Sequence, residues 1–486
     1  MAETFPRVRA AAIDGRAHNV FYRQIQLERL CQAIISNIDS LCDTIATDYN
    51  HNSSEIAVEI NLTVSAIRRD YATLDSKQAL SEEYLIANGE DAPGGSKPVG
   101  IVYIEPCRHT LLYSVVVPLS AAIAAGNCVI VLLENNLRAV SALLRQVLLN
   151  ALGPDTFAVA SSPIDDASLL SSLVHINQNN SEQWPRANQR FSPAQSRTLA
   201  IVDRTADAKS AARELVAARF SFGGRSPYAP DVVLVNEFTR QSFLQAVVAE
   251  SVALGSTSIS KGDAKHKPTG SPGVSEQIEA LRKADPEVRV IVQERNFAVV
   301  ETASRKSDFL TQKITAPVMV VHTIRSLDDA IDLIANTNDG IPALAAYHFS
   351  NPASAKYLTQ FVDARVSFVN SIPRELLVGP AFPAAHPIDI SARYPLHLFT
   401  GQSPAYIKSA AKSQSLSAAL ASSDNDSART LIAQAKAPLA AMKRHPGGGV
   451  GFFEQGFLLN AALILTTTIS VAGSAIYWGL KYRRSV

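Results

Sequence analysis

The stretch Phe220-Ser221-Phe222-Gly223-Gly224-Arg225-Ser226-Pro227-Tyr228, followed by the corner Ala229-Pro230-Asp231 and the apolar run 232–235, has the composition of a tight turn that presents a reactive group at the mouth of a buried strand. Adjacent glycines permit a backbone that other residues resist. In its centre the turn offers Arg225, Ser226, Pro227 and Tyr228. Ser226 carries a hydroxyl nucleophile, but no Ser-His-Asp arrangement accompanies it at motif level. Cys107 sits beside Arg108 and His109, and a cation and an imidazole next to a thiol favour the thiolate. The simpler reading of Cys107 is an ordinary loop cysteine. Glu105 and Glu134 read as isolated, solvated carboxylates at strand ends. His175, His322 and His348 lie in or beside apolar runs with no second ligand at a fixed spacing, so no metal site is expected. The glycine-rich run 445–456 reads as a hinge rather than a phosphate loop.

Elements that position these residues follow from periodicity. Residues 20–75 carry helical spacing, with Ile25, Leu27, Leu30 and Ile34, then Ile56, Ile60, Val64 and Ile67. Beyond the turn-rich 89–98, apolar strands alternate with helices: 99–106, 128–133 and 156–162 as strands, 111–126 and 137–152 as helices. A second series starts near 199, with strands at 199–203, 231–235, 317–323, 343–350 and 364–370 and helices between them. Fully apolar strands separated by helices predict a parallel sheet covered on both faces, hence an α/β protein of two doubly wound domains. The expected division is 1–195, 196–385, a segment 386–410 suited to oligomerisation, a linker 411–454 rich in Ser and Ala, and an apolar span 455–480.

The charges nearly cancel, with 45 basic and 44 acidic residues, so nucleic acid is not an expected partner. Four cysteines without paired spacing argue against a disulfide framework and for a reducing, cytosol-facing compartment. From Gln455 to Leu480 there is no charged residue, and about 20 apolar residues suffice to cross a hydrocarbon core. Tyr477 and Trp478 stand where an interfacial belt would place them, and Lys481, Arg483 and Arg484 follow. A buried C-terminal helix of the soluble part is the alternative. The expectation is a single-pass tail anchor with the main domain in the cytosol and the endoplasmic reticulum as a candidate membrane.

Three stretches resemble the aldehyde dehydrogenase superfamily, and its fatty aldehyde, class 3-like branch in particular. "KPVGIVYIEPCRHTLLYSVVVPLSAAIAAGNCVIVLL" is similar to the segment running through that family's Pro-Trp-Asn loop; "LAIVDRTADAKSAARELVAARFSFGGRSPYAPDVVLV" to the segment ending in its catalytic turn; "APVMVVHTIRSLDDAIDLIANTNDGIPALAAYHFS" to the part after its Glu-x-Phe-Gly-Pro motif. The resemblance covers about residues 18–370 and implies a cysteine nucleophile, a glutamate base and a nicotinamide dinucleotide. Carried over position by position, the nucleophile falls on Pro227, the base near Pro193, and the two oxyanion donors on Phe222 and Arg108. The glutamine of the catalytic turn falls on Arg225. The lysine and glutamate that reach the dinucleotide riboses fall on Leu132 and Lys313. No glycine occurs between Gly153 and Gly223, where the family starts a phosphate-facing helix. Cys107 remains a weak replacement nucleophile, and Arg108 with Arg225 would suit an anion.

The leading expectation is thus a membrane-anchored protein of this fold, a pseudoenzyme that binds no cofactor and serves as scaffold or partner in a homo- or hetero-oligomer. One alternative is an active oxidoreductase on lipophilic aldehydes, using NAD or NADP at a rebuilt site; another is a non-redox ligand-binding or acyl-transfer protein. For the tail, deleting 455–486 is expected to release the protein into the soluble fraction with its fold intact. Leu465→Arg, costing on the order of 3 kcal/mol at mid-span, is expected to release part of it. Retention of the truncated chain on membranes through alkaline carbonate washing would place the anchor elsewhere.

Overall fold

The computed structural model describes residues 4–134, 136, 138–179, 188–259, 288–338, 340–421, 425–440 and 451–483. Residues 1–408 form one compact unit and 409–486 another. The first begins with five helices: α1 (Pro6–Asp14), α2 (Val20–Ser36), α3 (Ile38–Tyr49), α4 (Ser53–Ala72) and α5 (Ser76–Glu83). Helix starts are capped as their sequences dictate. Asn19 and Asp75 accept from first-turn N–H groups, and Asn52 with Glu55 closes a capping box at α4.

Next come β1 (Ser96–Pro98), β2 (Ile101–Glu105), α6 (Leu111–Ala124), β3 (Cys128–Leu132), α7 (Ala139–Ala151), β4 (Phe157–Ala160), α8 (Ala167–Ser172), β5 (Val174–Asn177) and β6 (Gln189–Phe191). Strands β2 to β6 make an all-parallel sheet in the order β4-β3-β2-β5-β6, so strand order reverses at β2/β5. α6 is buried along its whole length, which accounts for its uniformly apolar sequence.

The second sheet has seven strands. Its elements are β7 (Thr198–Val202), α9 (Ala208–Phe220), β8 (Val232–Asn236), α10 (Arg240–Ile259), β9 (Arg289–Gln293), β10 (Ala298–Thr302), β11 (Val318–Ile324), α11 (Leu327–Thr337), β12 (Ala345–Phe349), α12 (Pro352–Phe361) and β13 (Ser367–Val369). Strand order is β13-β12-β7-β8-β11-β10-β9, with β9 antiparallel to β10. Finally β14 (Thr400–Gln402), inside the expected oligomerisation segment, pairs antiparallel with β1. Periodicity locates eight of the fourteen strands; β1, β5, β6, β9, β10 and β14 escape it because they are short or carry polar and charged residues.

The second unit contains α13 (Ala411–Ala421), α14 (Asn425–Ala435) and α15 (Phe452–Arg483). α15 includes a 25-residue apolar stretch, Glu454–Trp478, long enough to span a membrane, with none of it buried. The hydroxyls of Thr466, Thr467 and Thr468 donate to the carbonyls of Ala462, Leu463 and Ile464 at 2.7–2.9 Å, so these polar groups are satisfied within the helix. The glycine run of 445–450 lies outside the described residues.

Between α4 and α6 sits a fully buried carboxyl, Glu59, whose Oε1 accepts from Tyr113 N–H at 3.3 Å in the first turn of α6. Burial pushes it up to about 7, against the opposing pull of the Tyr113 and Leu112 N–H groups. Unfolded, a glutamate releases its proton near pH 4.3. Between those values the folded state binds the extra proton, so this carboxyl makes stability fall as pH rises through that window. Glu59→Gln fixes the neutral form. It is expected to exceed wild type by on the order of 3 kcal/mol at pH 8 and to match it near pH 4, measured by denaturant unfolding; an equal difference at both pH values would refute the assignment.

Candidate functional site

The turn that closes α9 runs through three consecutive left-handed residues, Phe222, Gly223 and Gly224, at φ 53°, 62° and 68°. Gly224 is required twice over: its φ is positive, and a Cβ there would lie 2.6 Å from the Ala316 carbonyl oxygen. Phe222 pays for its conformation through packing. Its buried ring stands edge-on to His51 and His109 at 5.3 and 5.8 Å, and its N–H donates to Glu55 Oε1 at 2.6 Å. Glu55 thereby ties the capping box of α4 to the turn. Burial pushes Glu55 upward, and it drives the imidazoles the other way, His51 to about 3 and His109 to about 4, so both rings are neutral at physiological pH.

Downstream of the glycines the chain turns inward. Ser226, Pro227 and Tyr228 are buried, and the Ser226 hydroxyl accepts from Tyr228 N–H at 3.3 Å. The Pro227 carbonyl accepts from Lys313 Nζ at 2.5 Å and from Thr198 Oγ1 at 2.9 Å. Lys313 also donates to Asp231 Oδ2 at 2.9 Å. Asp231 accepts in addition from the N–H groups of Thr198 and Ile314 at 2.7 and 3.0 Å, and Arg219 Nη1 lies 3.7 Å from it. Arg219, wholly buried, donates to the carbonyls of Pro230, Gly224, Ile314 and Ala316. Desolvation lowers both Lys313 and Arg219, and Asp231 opposes it. Pro227 and Lys313 are thus brought into direct contact, inside a closed polar cluster.

The remaining positions are held apart from it. Cys107 is buried, its Sγ 3.1 Å from Ser114 Oγ and 3.2 Å from the His109 carbonyl, and burial pushes the thiol up to about 11. A thiol so placed stays protonated at neutral pH. Its N–H donates to Gln178 Oε1, whose amide in turn donates to the Ser114 carbonyl. Arg108 is three-quarters exposed and lies 3.6 Å from Glu134. Arg225 is exposed too. Pro193 lies half-buried in the turn after β6, its carbonyl accepting from Ser196 N–H at 3.1 Å. Leu132 ends β3 inside an apolar cluster with Ile101, Tyr103, Ile130 and Leu169.

Glu105 is not the isolated, solvated carboxylate expected. It stands at the carboxyl end of β2, at the reversal of strand order, accepts from Tyr103 Oη at 3.0 Å, and lies 3.3 Å from His175 Nε2 across the β2/β5 ladder. Burial raises it, but the His175 and Tyr103 contacts outweigh burial and hold it below the usual carboxylate range. Crevices at such a reversal are where open α/β sheets receive ligands, and in dinucleotide folds a pyrophosphate comes to a glycine-lined backbone there. Here the crevice presents an ionised carboxylate, followed after β5 by Gln178 and Asn179. His322 and His348 are buried, with Nδ1 of the first 2.9 Å from the Thr302 carbonyl, and among the described residues no group of His, Cys, Asp or Glu could hold a metal. The linear reading missed Glu55, Glu59, Arg219 and Asp231. A signal existed for three of them: glutamates four apart between apolar helix positions, and an aspartate placed directly before a fully apolar strand.

No protein-family model matches the chain. Human (Homo sapiens) aldehyde dehydrogenase family 3 member B1 is 25% identical over 394 residues, covering 74% of this chain and 81% of the relative. The 4,4'-diaponeurosporen-aldehyde dehydrogenase of Staphylococcus aureus is 22% identical over 391 residues, covering 75% and 83%. Among solved structures, substrate-bound Staphylococcus aureus AldH superposes with a TM-score of 0.63 at 18% identity, over 84% of this chain and 94% of that one. Glyceraldehyde-3-phosphate dehydrogenase GapN of Methanocaldococcus jannaschii, complexed with NADP, gives 0.62 at 12% identity, over 82% and 92%. With the two sheets, their strand orders and the collinear relatives in agreement, the chain has the aldehyde dehydrogenase fold and is similar over about three quarters of its length to class 3 members of that superfamily.

Proposed function

We propose that this protein is a membrane-anchored relative of the aldehyde dehydrogenases that does not carry out NAD-linked oxidation and acts as a scaffold or partner within a homo- or hetero-oligomer. Its body lies in the cytosol, held by the span of α15, with the endoplasmic reticulum as the candidate membrane. One observation carries this reading. Where the family resemblance calls for a nucleophile, the chain places Pro227, and its carbonyl is bound by the very lysine, Lys313, that stands where a ribose-binding glutamate is expected. A turn locked in this way is a packing element. Three further features support the same reading: a Cys107 thiol kept protonated, an aromatic ring at Phe222 in place of an oxyanion donor, and an ionised Glu105 at the crevice where a pyrophosphate would need positive or neutral donors. On this reading the residues present do not suit a dinucleotide, and no step of a redox reaction is assigned to them.

NAD and NADP, titrated separately at millimolar concentration into the body 1–408, are expected to leave its melting temperature unchanged. A shift of several degrees with either would favour a working oxidoreductase on lipophilic aldehydes, the activity class in the names of its relatives. Pro227→Cys alone is expected to form no NADH from a fatty aldehyde, because catalytic units act together. Lys313→Met, which leaves Asp231 short of a partner, is expected to destabilise the body by about 3 kcal/mol in denaturant unfolding. A change below about 1 kcal/mol would mean that the cluster does not hold the turn.

A further inference from the structure

We propose that α1 and α2 form a docking surface for an anionic bilayer. The proposal rests on the tail-anchor reading above, which keeps the body near a membrane. On α2, Leu27, Leu30 and Ile34 face the core while Phe21, Ile25 and Arg29, spaced four apart, lie along the opposite, exposed side. Phe21 and Ile25 are 49% and 45% exposed, and Ile13 at the end of α1 is 86% exposed. Isolated apolar side chains on a surface need no explanation, but two in line on one helix face with an arginine next along it fit a helix that lies in a lipid interface.

Charge decides the occupant. Residues 5–30 hold five arginines (Arg7, Arg9, Arg16, Arg23 and Arg29) and two carboxylates, Asp14 and Glu28, an excess of +3 in a chain whose total is +1. Arg16 is engaged by Asp155 at 2.7 Å and Arg9 by Asp166 at 3.7 Å, while Glu28 accepts from Tyr71 Oη. Arg29 continues the exposed row on α2, and Arg7 is exposed on α1. Basic residues near anionic lipid and apolar side chains entering the headgroup boundary act in concert, and a tether turns a weak contact into a populated one by raising its effective concentration.

The body 1–408 serves for the test, since all three apolar clusters of the fold lie within residues 8–399. Flotation with vesicles of phosphatidylcholine alone and of phosphatidylcholine with phosphatidylserine is expected to show at least about fivefold more binding to the anionic vesicles. The pair Phe21→Ser with Ile25→Ser, and separately Arg7→Gln with Arg29→Gln, is expected to reduce that binding about threefold or more, with melting temperature unchanged because these side chains are exposed. Equal binding to both vesicles, or undiminished binding by the apolar pair, would overturn the proposal. Failure of the body to bind while the full chain stays on membranes would remove the docking surface and leave the tail anchor standing. Self-association of the body that the apolar pair abolishes would assign the row to a second copy of the chain instead.

Discussion

Asp231 is the group on which the second half of the molecule depends. A carboxylate with no contact to water is tolerable only when its oxygens are filled, and here two backbone N–H groups, an ammonium and a guanidinium converge on it. The four partners come from three elements: Thr198 from the start of β7, Lys313 and Ile314 from the segment entering β11, Arg219 from the end of α9. The carboxylate, directly before β8, therefore sets where the two strands flanking β8 begin and where α9 stops. Two cations against one anion would leave excess charge, and the carbonyls of Gly224, Pro227, Pro230, Ile314 and Ala316 take it up. Gly224, Pro227 and Pro230 belong to the turn itself and Ile314 and Ala316 to the segment entering β11, so satisfying the cluster also fixes the turn against that segment.

On the other side the turn is held by α4. Glu55 and Glu59, four residues apart, share a helix face: the first takes the Phe222 N–H, the second the open N-terminus of α6. Thr110, in the left-handed region before α6, gives its hydroxyl to the His109 carbonyl and accepts from Gly379 N–H instead of capping the helix. A carboxyl from a neighbouring helix supplies the missing acceptor. The N-terminal helices are thus bonded both to the turn and to the start of α6.

That outcome separates fold from function. Layers, strand orders and the apolar faces of both sheets survive because burial requires hydrophobic residues of roughly the right volume and little more. A catalytic constellation requires particular groups at particular atoms. Leu132 and Lys313 both serve the interior, Leu132 within an apolar cluster and Lys313 as a donor to Asp231 and Pro227.

Much of the architecture was legible in the linear chain. Apolar runs such as 128–132 and 232–235 can be buried on both faces only in a parallel sheet, and the uncharged stretch 455–480 could be read as a spanning helix, because these patterns depend on local composition and period. The identities at Pro227, Pro193, Phe222 and Arg108 were equally plain, being properties of single positions. Which groups meet was not legible. Lys313 and Pro227 are 86 residues apart, Glu55 and Phe222 167, and Glu105 and His175 are joined only through a strand ladder. Burial was likewise invisible: Glu105 read as solvated and Cys107 as a possible thiolate, whereas packing gives the first two partners and keeps the second protonated. Local sequence determines which residues prefer helix, strand or bilayer, because those preferences act over a few residues. Only the tertiary structure decides charge state and contact, because both depend on what the folded chain brings near and how much water it expels.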